Sequence, residues 1–300
     1  MQKIKIRLPA TVTHLMPGLH SLGLALQLYT TVEFSGRNDE QLRLEINGEG
    51  RAAFATPLLH PIVLAMGRFF QQLEKTQLGI HIKIDNAIPL KSGLGAEDAF
   101  RVAGVLGANH LMGNPCDRDT LLKIAAAAEW PVGVVAALLG GLATAARENS
   151  RLIYRALPVT PFPLIVVLPQ LEQYAPAAPP EQIDRSDMPY DLSRVPLLIE
   201  ALRQGDLELL AYAIDDKLQV SHVAAQITGY QYVADTARQS GALAVTIASD
   251  GPALLAFAEK QQQTIANNMK QAFQKVGVAA RSWVLPIDTQ GVVISEVRSV

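Results

Sequence analysis

The stretch over residues 88–99 reads I-P-L-K-S-G-L-G-A-E-D-A, and it constrains the fold more than any other segment. Ile88 and Pro89 end a predicted strand, two glycines then make a tight turn, and a predicted helix begins near Glu97. Such a turn can hold phosphate, because its backbone N–H groups point outward and the helix dipole favours an anion. Here Glu97 and Asp98 stand at the start of the helix, and their carboxylates repel phosphate. The segment therefore has the glycine-rich turn of a phosphate site, but acidic side chains stand where phosphate would bind.

The composition predicts a globular protein of two domains. A chain of three hundred residues is longer than a single hydrophobic core usually supports. A proline-rich span near 157–162 indicates the domain boundary, which gives residues 1–157 and residues 158–300. The net charge of −2 gives no basis for binding nucleic acid or an anionic membrane. A single cysteine, Cys116, suits a reducing compartment. With no signal-peptide pattern and no apolar run long enough for a bilayer, we expect a cytoplasmic protein.

Strands and helices alternate along the chain, which predicts an α+β sandwich. The periodicity predicts strands at 3–8, 24–34, 41–46, 79–85, 152–154, 164–168, 243–248, 254–258, 279–286 and 291–297. It predicts helices at 61–75, 97–112, 117–129, 191–204, 206–219, 229–240 and 258–276.

Four segments, in order, match motifs of one family. Residues 9–26 correspond to P-A-T-S-A-N-L-G-P-G-F-D-T-L-G-L-A-L, and residues 89–98 to P-x-x-x-G-L-G-S-S-A. Residues 130–141 correspond to H-P-D-N-V-A-P-A-L-L-G-G, and residues 248–253 to S-G-A-G-P-T. The chain thus resembles the GHMP kinases, the small-molecule kinases named for galactose, homoserine, mevalonate and phosphomevalonate, and among them the homoserine kinases. The resemblance implies an α+β, two-domain GHMP-kinase-like fold with the active site in the cleft between the domains.

The resemblance also implies ATP and Mg²⁺ as cofactors, held at the glycine-rich turn and at the late loop. The residues that correspond to this cofactor site are Lys91, Gly93, Gly95 and Gly251. Phosphoryl transfer needs neutralised charge and in-line positioning more than covalent chemistry. Any departure from the motif at these segments therefore bears directly on whether ATP binds.

The chain departs from the motif where the family holds phosphate. Ala96 and Glu97 replace two serines, while Asp98 and Asp250 replace alanines. Unit charges about 4 Å apart repel by roughly 4 kcal/mol at an effective dielectric of about 20. We therefore expect weak or no ATP binding unless a divalent cation intervenes. The alternative is that Glu97 and Asp98 turn to solvent as helix-start acids and that Asp250 is a simple turn aspartate.

The substrate side is altered too. Trp130, Val132 and Gly133 replace the polar residues of the mid-chain motif. Two family arginines are missing, one within 218–223 and one within 172–180. Arginine binds a carboxylate through two parallel hydrogen bonds. Their loss argues against an amino-acid substrate held by its carboxylate, and so against homoserine.

Histidines replace two further site residues. His14 and His20 stand where the family has asparagine and aspartate, and His222 lies within the stretch that lost an arginine. On the family fold they would join Glu97 and Asp98 as catalytic candidates, since imidazole and carboxylate serve acid–base chemistry near neutral pH. The same groups suit a divalent metal, for which His14, His20 and Asp98 are the candidate ligands. The alternative is that each histidine is structural, because no H-x-x-x-H spacing is present.

Three functions remain open at the level of sequence. The first is a small-molecule transferase with altered substrate and phosphate chemistry. The second is a non-catalytic homologue that binds a metabolite or a partner, and the third is an ATP-dependent homoserine kinase with an unusual site. Fold alone does not decide among them. In each case we expect a small-molecule ligand, no nucleic acid and no membrane, and a homodimer stays open as the assembly.

Overall fold

The structure is a computed structural model of the chain. It describes residues 3–13, 15, 17–18, 20–39, 41–54, 56–75, 79–126, 130–149, 151–172, 174–175, 182 and 184–296. The described residues form two β-sheets with helices packed on them. The α+β fold class predicted from the sequence is confirmed.

The first sheet has seven strands. They are β1 (Lys3–Val12), β2 (Leu22–Gly36), β3 (Leu42–Gly48), β4 (Ile80–Asn86), β5 (Leu142–Glu148), β6 (Arg151–Leu157) and β11 (Val293–Glu296). The main path runs β11-β1-β2-β4-β3, and β5 pairs with the other part of β2 and carries β6 at its outer side. Strand β3 pairs parallel to β4, and the other pairs in this sheet are antiparallel.

Four α-helices and a short 3₁₀ turn accompany this sheet. They are the 3₁₀ turn Pro57–Leu59, α1 (Pro61–Gln72), α2 (Ala96–Leu111), α3 (Arg118–Ala125) and α4 (Val132–Leu139). Helices α2 and α4 both pack on β1 and β2. The two helices that begin beside the glycine-rich turn and the mid-chain motif are therefore neighbours on one sheet.

The second sheet has four antiparallel strands in the order β10-β7-β9-β8. They are β7 (Pro163–Pro169), β8 (Ala244–Ile247), β9 (Leu254–Phe257) and β10 (Ala280–Pro286). The helices of this part are α5 (Asp187–Gln204), α6 (Leu207–Ala213), α7 (Val220–Ala224), α8 (Tyr230–Gln239) and α9 (Gln262–Lys275). Strand β7 reads as an unbroken apolar run because both of its faces are buried, with Val166 in one core cluster and Val167 in the other.

The two sheets are linked by a shared core and by the last strand. The larger hydrophobic cluster includes Phe34 of β2 and also Phe257 and Leu285 of the second sheet. Strand β11 follows β10 in the chain but pairs with β1 of the first sheet. Among the described residues, no helix has the length and apolar character that crossing a membrane requires.

The structure corrects two predicted elements. The helix predicted over 206–219 ends at Ala213, and a new short helix, α7, starts at Val220. The break follows from Asp216, whose Oδ1 accepts hydrogen bonds from the backbone N–H groups of Gln219 and Val220, both at 2.7 Å. Helix α4 was not predicted, because it is apolar on nearly every side and so shows no helical alternation.

Candidate functional site

The glycine-rich turn leads directly into α2. Gly93 and Gly95 both adopt left-handed backbone conformations, with φ of +84° and +70°. Gly95 is the N-cap of α2, and a Cβ added there would overlap Thr11 Oγ1 at the end of β1. The backbone N–H of Thr11 donates to the carbonyl of Leu94 at 3.0 Å. Glycine is therefore required at this turn by its φ and by the close approach of β1.

The turn also touches the late loop over 248–251. A Cβ on Gly93 would overlap the carbonyl oxygen of Ala248, and one on Gly251 would overlap the backbone of Ser92 and Gly93. The backbone N–H of Ala253 donates to the carbonyl of Ser92 at 3.2 Å. We call this backbone-to-backbone contact between 92–95 and 248–251 the loop clasp. It brings three of the predicted cofactor-binding glycines together, whereas the fourth residue, Lys91, is exposed.

The two acids at the start of α2 share one arginine. Arg101 Nη2 lies 3.0 Å from Glu97 Oε2, and its Nη1 lies 3.1 Å from Asp98 Oδ1. The arginine is 9% exposed, while the Glu97 side chain is half exposed and that of Asp98 is mostly buried. Asp98 therefore does not turn to solvent, and the two acids of the first turn of α2 form a compact cluster with the guanidinium of Arg101 one turn further along.

Asp98 also reaches the first turn of α4. A Cβ added to Gly133 would overlap Asp98 Oδ2 and would lie 2.9 Å from Thr13 Cγ2. Gly133 is thus the residue whose missing side chain makes room for the Asp98 carboxylate. Two departures from the family motif, in different segments of the sequence, meet in space.

The two predicted histidines that the structure describes, His20 and His222, lie in different surroundings. His20, with φ of +53°, stacks on Trp130 with ring centroids 4.9 Å apart and planes 10° apart. Trp130 is 65% exposed, and His222 is exposed on α7. His14 lies outside the described residues. In the part of the chain that the structure describes, no group of three or more His, Cys, Asp or Glu side chains could hold a metal.

The late loop is tied to the first strand and to the second half of the chain. The backbone N–H of Thr13 donates to Ser249 Oγ at 2.8 Å. Gln219 Nε2 lies 3.4 Å from Asp250 Oδ1, and the Tyr174 hydroxyl donates to the Asp250 carbonyl at 2.6 Å. Burial, together with the Asp250 carboxylate, raises the pKa of Tyr174 to about 12. Tyr174 therefore stays protonated and donates over the whole neutral range.

Sequence reasoning missed the residue that organises this site, Arg101. The signal was present, because Arg101 follows Glu97 by four positions and Asp98 by three, the spacings at which helix side chains meet. The contact of Ser249 with Thr13 carried no such local signal, since the two residues are far apart in the sequence.

Comparisons with known proteins identify relatives of the chain in sequence and in fold. The family model described as GHMP kinases N terminal domain matches residues 61–141. The chain is 32% identical to a homoserine kinase of Synechocystis over 99% of this chain and 100% of that protein. It is 31% identical to a homoserine kinase of Moorella thermoacetica over 91% of this chain and 93% of that one. The crystal structure of homoserine kinase from Cytophaga hutchinsonii superposes with a TM-score of 0.85, 25% identity and 98% coverage of each chain.

The fold and the glycine-rich turn define a protein of the small-molecule kinase class. The full-length match shows that the chain belongs to the GHMP kinase family. Within that family it is similar to homoserine kinases along nearly its entire length.

Proposed function

We propose that this chain is a GHMP-fold small-molecule transferase with altered substrate and phosphate chemistry, and that it is not a homoserine kinase in the strict sense. Its full-length similarity to homoserine kinases supports the transferase class. The observation that carries the altered chemistry is the cluster of Glu97, Asp98 and Arg101 in the first two turns of α2.

That cluster places the protein's own anions where the turn would receive phosphate. The start of a helix favours negative charge, and here Glu97 and Asp98 supply it. Glu97 and Asp98 put two carboxylates beside the turn, and carboxylates repel a triphosphate. Ala96 offers no hydroxyl to Mg²⁺ or phosphate. The residues present do not fit Mg-ATP in the mode that the family motif implies, so we derive no step through it.

The substrate side supports a different acceptor. The stacked rings of His20 and Trp130 form an exposed aromatic surface where the family motif has polar residues. Such a surface favours apolar or planar groups over a carboxylate. The stretch 218–223, which carries an arginine in the family motif, has Val223 at that position and His222 beside it. An acceptor recognised by its apolar part suits these residues better than homoserine does.

A non-catalytic homologue that binds a metabolite is the second candidate. The observation that favours it is that Arg101 is engaged by both carboxylates. A carboxylate that already pairs with a guanidinium is poorly placed to take a proton from a substrate. In this candidate the cluster only shapes the turn.

Calorimetry with Mg-ATP tests the phosphate side of the proposal. The wild-type chain should show no binding in the low micromolar range. The triple variant Ala96→Ser, Glu97→Ser, Asp98→Ala restores the family motif and should gain affinity, because it removes two negative charges beside the turn. Glu208→Ser is the matched control, since Glu208 is an exposed acid in the first turn of another helix, α6.

Phosphorus NMR with Mg-ATP and a panel of hydroxyl-bearing acceptors separates the candidates. Turnover with an acceptor other than homoserine supports the altered transferase, and ligand binding without any turnover supports the non-catalytic homologue. Tight Mg-dependent ATP binding by the wild-type chain, with homoserine turnover of about 1 s⁻¹ or more, would show that it is a homoserine kinase and overturn the proposal.

A further inference from the structure

A second cavity lies in the second half of the chain and shares no residue with the site described above. Its volume is about 350 Å³, and it lies between α5, α8, β8 and the segment that follows α6. Arg194 and Thr246 contribute to its wall from buried positions, whereas Asp215 and Arg238 are exposed residues of its lining. We call it the α5–β8 cavity.

Arg194 is the first reason to consider this cavity a binding site. The residue is 8% exposed, and its guanidinium lies 3.4 Å from the ring centroid of Tyr190 and 4.9 Å from that of Tyr212. Its Nη1 donates to the Tyr190 carbonyl at 3.2 Å. Its Nε has no hydrogen-bond partner, and no described carboxylate forms an ion pair with it. A buried cation without a counter-charge is costly, so an anionic group beside Arg194 would stabilise it.

Thr246 is the second reason. This residue of β8 is 1% exposed, and its hydroxyl oxygen has no hydrogen-bond partner among the described residues. Buried polar groups in folded proteins are nearly always hydrogen-bonded. The lining of the α5–β8 cavity therefore includes two residues, Arg194 and Thr246, that each carry one buried polar side-chain atom without a hydrogen-bond partner among the described residues.

The same cavity carries negative charge. Asp215 accepts a hydrogen bond from the Tyr190 hydroxyl. Asp216 is 8% exposed, and its Oδ2 has no hydrogen-bond donor in the part of the chain that the structure describes. Burial, and beside it the carboxyl group of Asp191, raises the pKa of Asp216 to about 6. A positively charged group in the cavity would relieve this concentration of carboxylates.

We propose that the α5–β8 cavity binds a small zwitterion that carries one carboxylate and one ammonium group. The carboxylate pairs with Arg194 and Thr246, and the ammonium lies towards Asp215 and Asp216. A simple anion is repelled by the two aspartates, and a simple cation is repelled by Arg194 and Arg238. Only a molecule with both charges satisfies both sides of the cavity, and its volume limits the ligand to the size of an amino acid or a small peptide.

Calorimetry of the full chain with glycine and L-alanine tests this proposal, with acetate and methylammonium as single-charge controls. The amino acids should bind at least about tenfold more tightly than either control, since each control forms only half of the charged contacts. Arg194→Met should weaken amino-acid binding by about tenfold or more. Arg203→Met is the matched control on the same helix, because Arg203 is exposed and pairs with Glu200.

Two milder variants keep the test independent of any folding defect in Arg194→Met. Thr246→Val conserves the shape of the side chain and removes the buried hydroxyl, and Asp215→Asn removes one rim charge. Each should weaken amino-acid binding several-fold with unchanged thermal stability. Amino-acid binding that survives all three substitutions would place the ligand elsewhere in the chain and overturn the proposal. So would acetate binding as tightly as glycine, or no amino-acid binding at all.

Discussion

Gly133 shows how closely the altered residues of the candidate site depend on one another. Its missing side chain leaves the space that Asp98 Oδ2 occupies. Helix propensity alone predicts that Gly133→Ala stabilises α4 by about 1 kcal/mol. The overlap with Asp98 predicts instead that Gly133→Ala destabilises the protein, because overpacking a buried site costs about 1–3 kcal/mol. We expect the cost of the overlap to exceed the gain in helix propensity. The free energy of unfolding of Gly133→Ala, measured in urea, should therefore be lower than that of the wild-type chain.

The double variant Gly133→Ala, Asp98→Ala isolates the contact. Once the carboxylate is gone, the two closest contacts of the alanine methyl are removed, and the cost of Gly133→Ala should fall by about 1 kcal/mol or more. Equal costs of Gly133→Ala in both backgrounds would mean that the carboxylate and the glycine are not coupled.

The sequence predicted which site residues differ from the family motif. It did not predict which of these residues contact one another. The replacement of serine by Glu97 and of asparagine by Gly133 is visible in the motifs. Their meeting depends on α2 and α4 lying side by side on one sheet, which no local pattern encodes. The assignment of His20, His222, Glu97 and Asp98 as catalytic residues stays a prediction, and His14 lies outside the described residues.

Two helix starts follow directly from the sequence. The helix predicted from residue 117 is capped by Asp117, whose side chain accepts from the backbone N–H of Thr120 at 2.9 Å. Pro61 was predicted to start a helix, and α1 begins there. The predicted helix over 206–219 was wrong because its apolar residues continue past Ala213, while the side chain of Asp216 redirects the backbone.

The N-cap of α1 is a histidine with an unusual titration. His60 is buried between Phe54 and Phe100, with ring centroids 4.5 Å and 4.8 Å away, and its Nδ1 accepts from the backbone N–H of Ile62. Burial lowers its pKa from 6.5 to about 4. The unfolded chain therefore binds a proton at a higher pH than the folded chain does. The stability that His60 contributes is present above about pH 6.5 and is lost as the pH falls towards 4.

The variant His60→Asn tests this pH dependence. Asparagine can still cap α1, although it loses the aromatic contacts, so the variant should be less stable at pH 7. Between pH 6.5 and 4 the wild-type chain should lose up to about 3 kcal/mol of unfolding free energy that the variant does not lose. Asp216 titrates in the opposite sense in the same range, but it does so in both proteins and cancels in the difference. Parallel pH profiles would contradict the role given to His60.

The whole molecule is held by a core that both sheets share. Phe34 of the first sheet and Phe257 of the second belong to one hydrophobic cluster, and β11 returns from the second sheet to pair with β1. We therefore expect one cooperative unfolding transition, although two-domain chains often unfold in steps. The division at residues 157 and 158 stays a prediction about architecture.

The two tryptophans make this expectation measurable. The chain has only Trp130 and Trp283, and they lie on opposite sides of the predicted boundary. Fluorescence of Trp130→Phe reports the second half, and fluorescence of Trp283→Phe reports the first. Urea unfolding of each variant is followed by circular dichroism and by fluorescence. For one cooperative unit, the two methods should give the same urea midpoint within each variant. A fluorescence midpoint that departs from the dichroism midpoint in either variant would reveal separate unfolding units.

The loop clasp has a consequence for the chain while it is being made. Gly93 emerges from the ribosome long before Gly251, and at about 5–20 residues per second roughly 10–30 s separate them. During that interval the glycine-rich turn has its contact with Thr11 of β1 but lacks the backbone contacts that the late loop makes with Ser92 and Gly93. A nascent chain that stops before the late loop would hold the first sheet's helices without a finished turn. The loop clasp, and any ligand contact that depends on it, therefore forms only after most of the polypeptide has been synthesised.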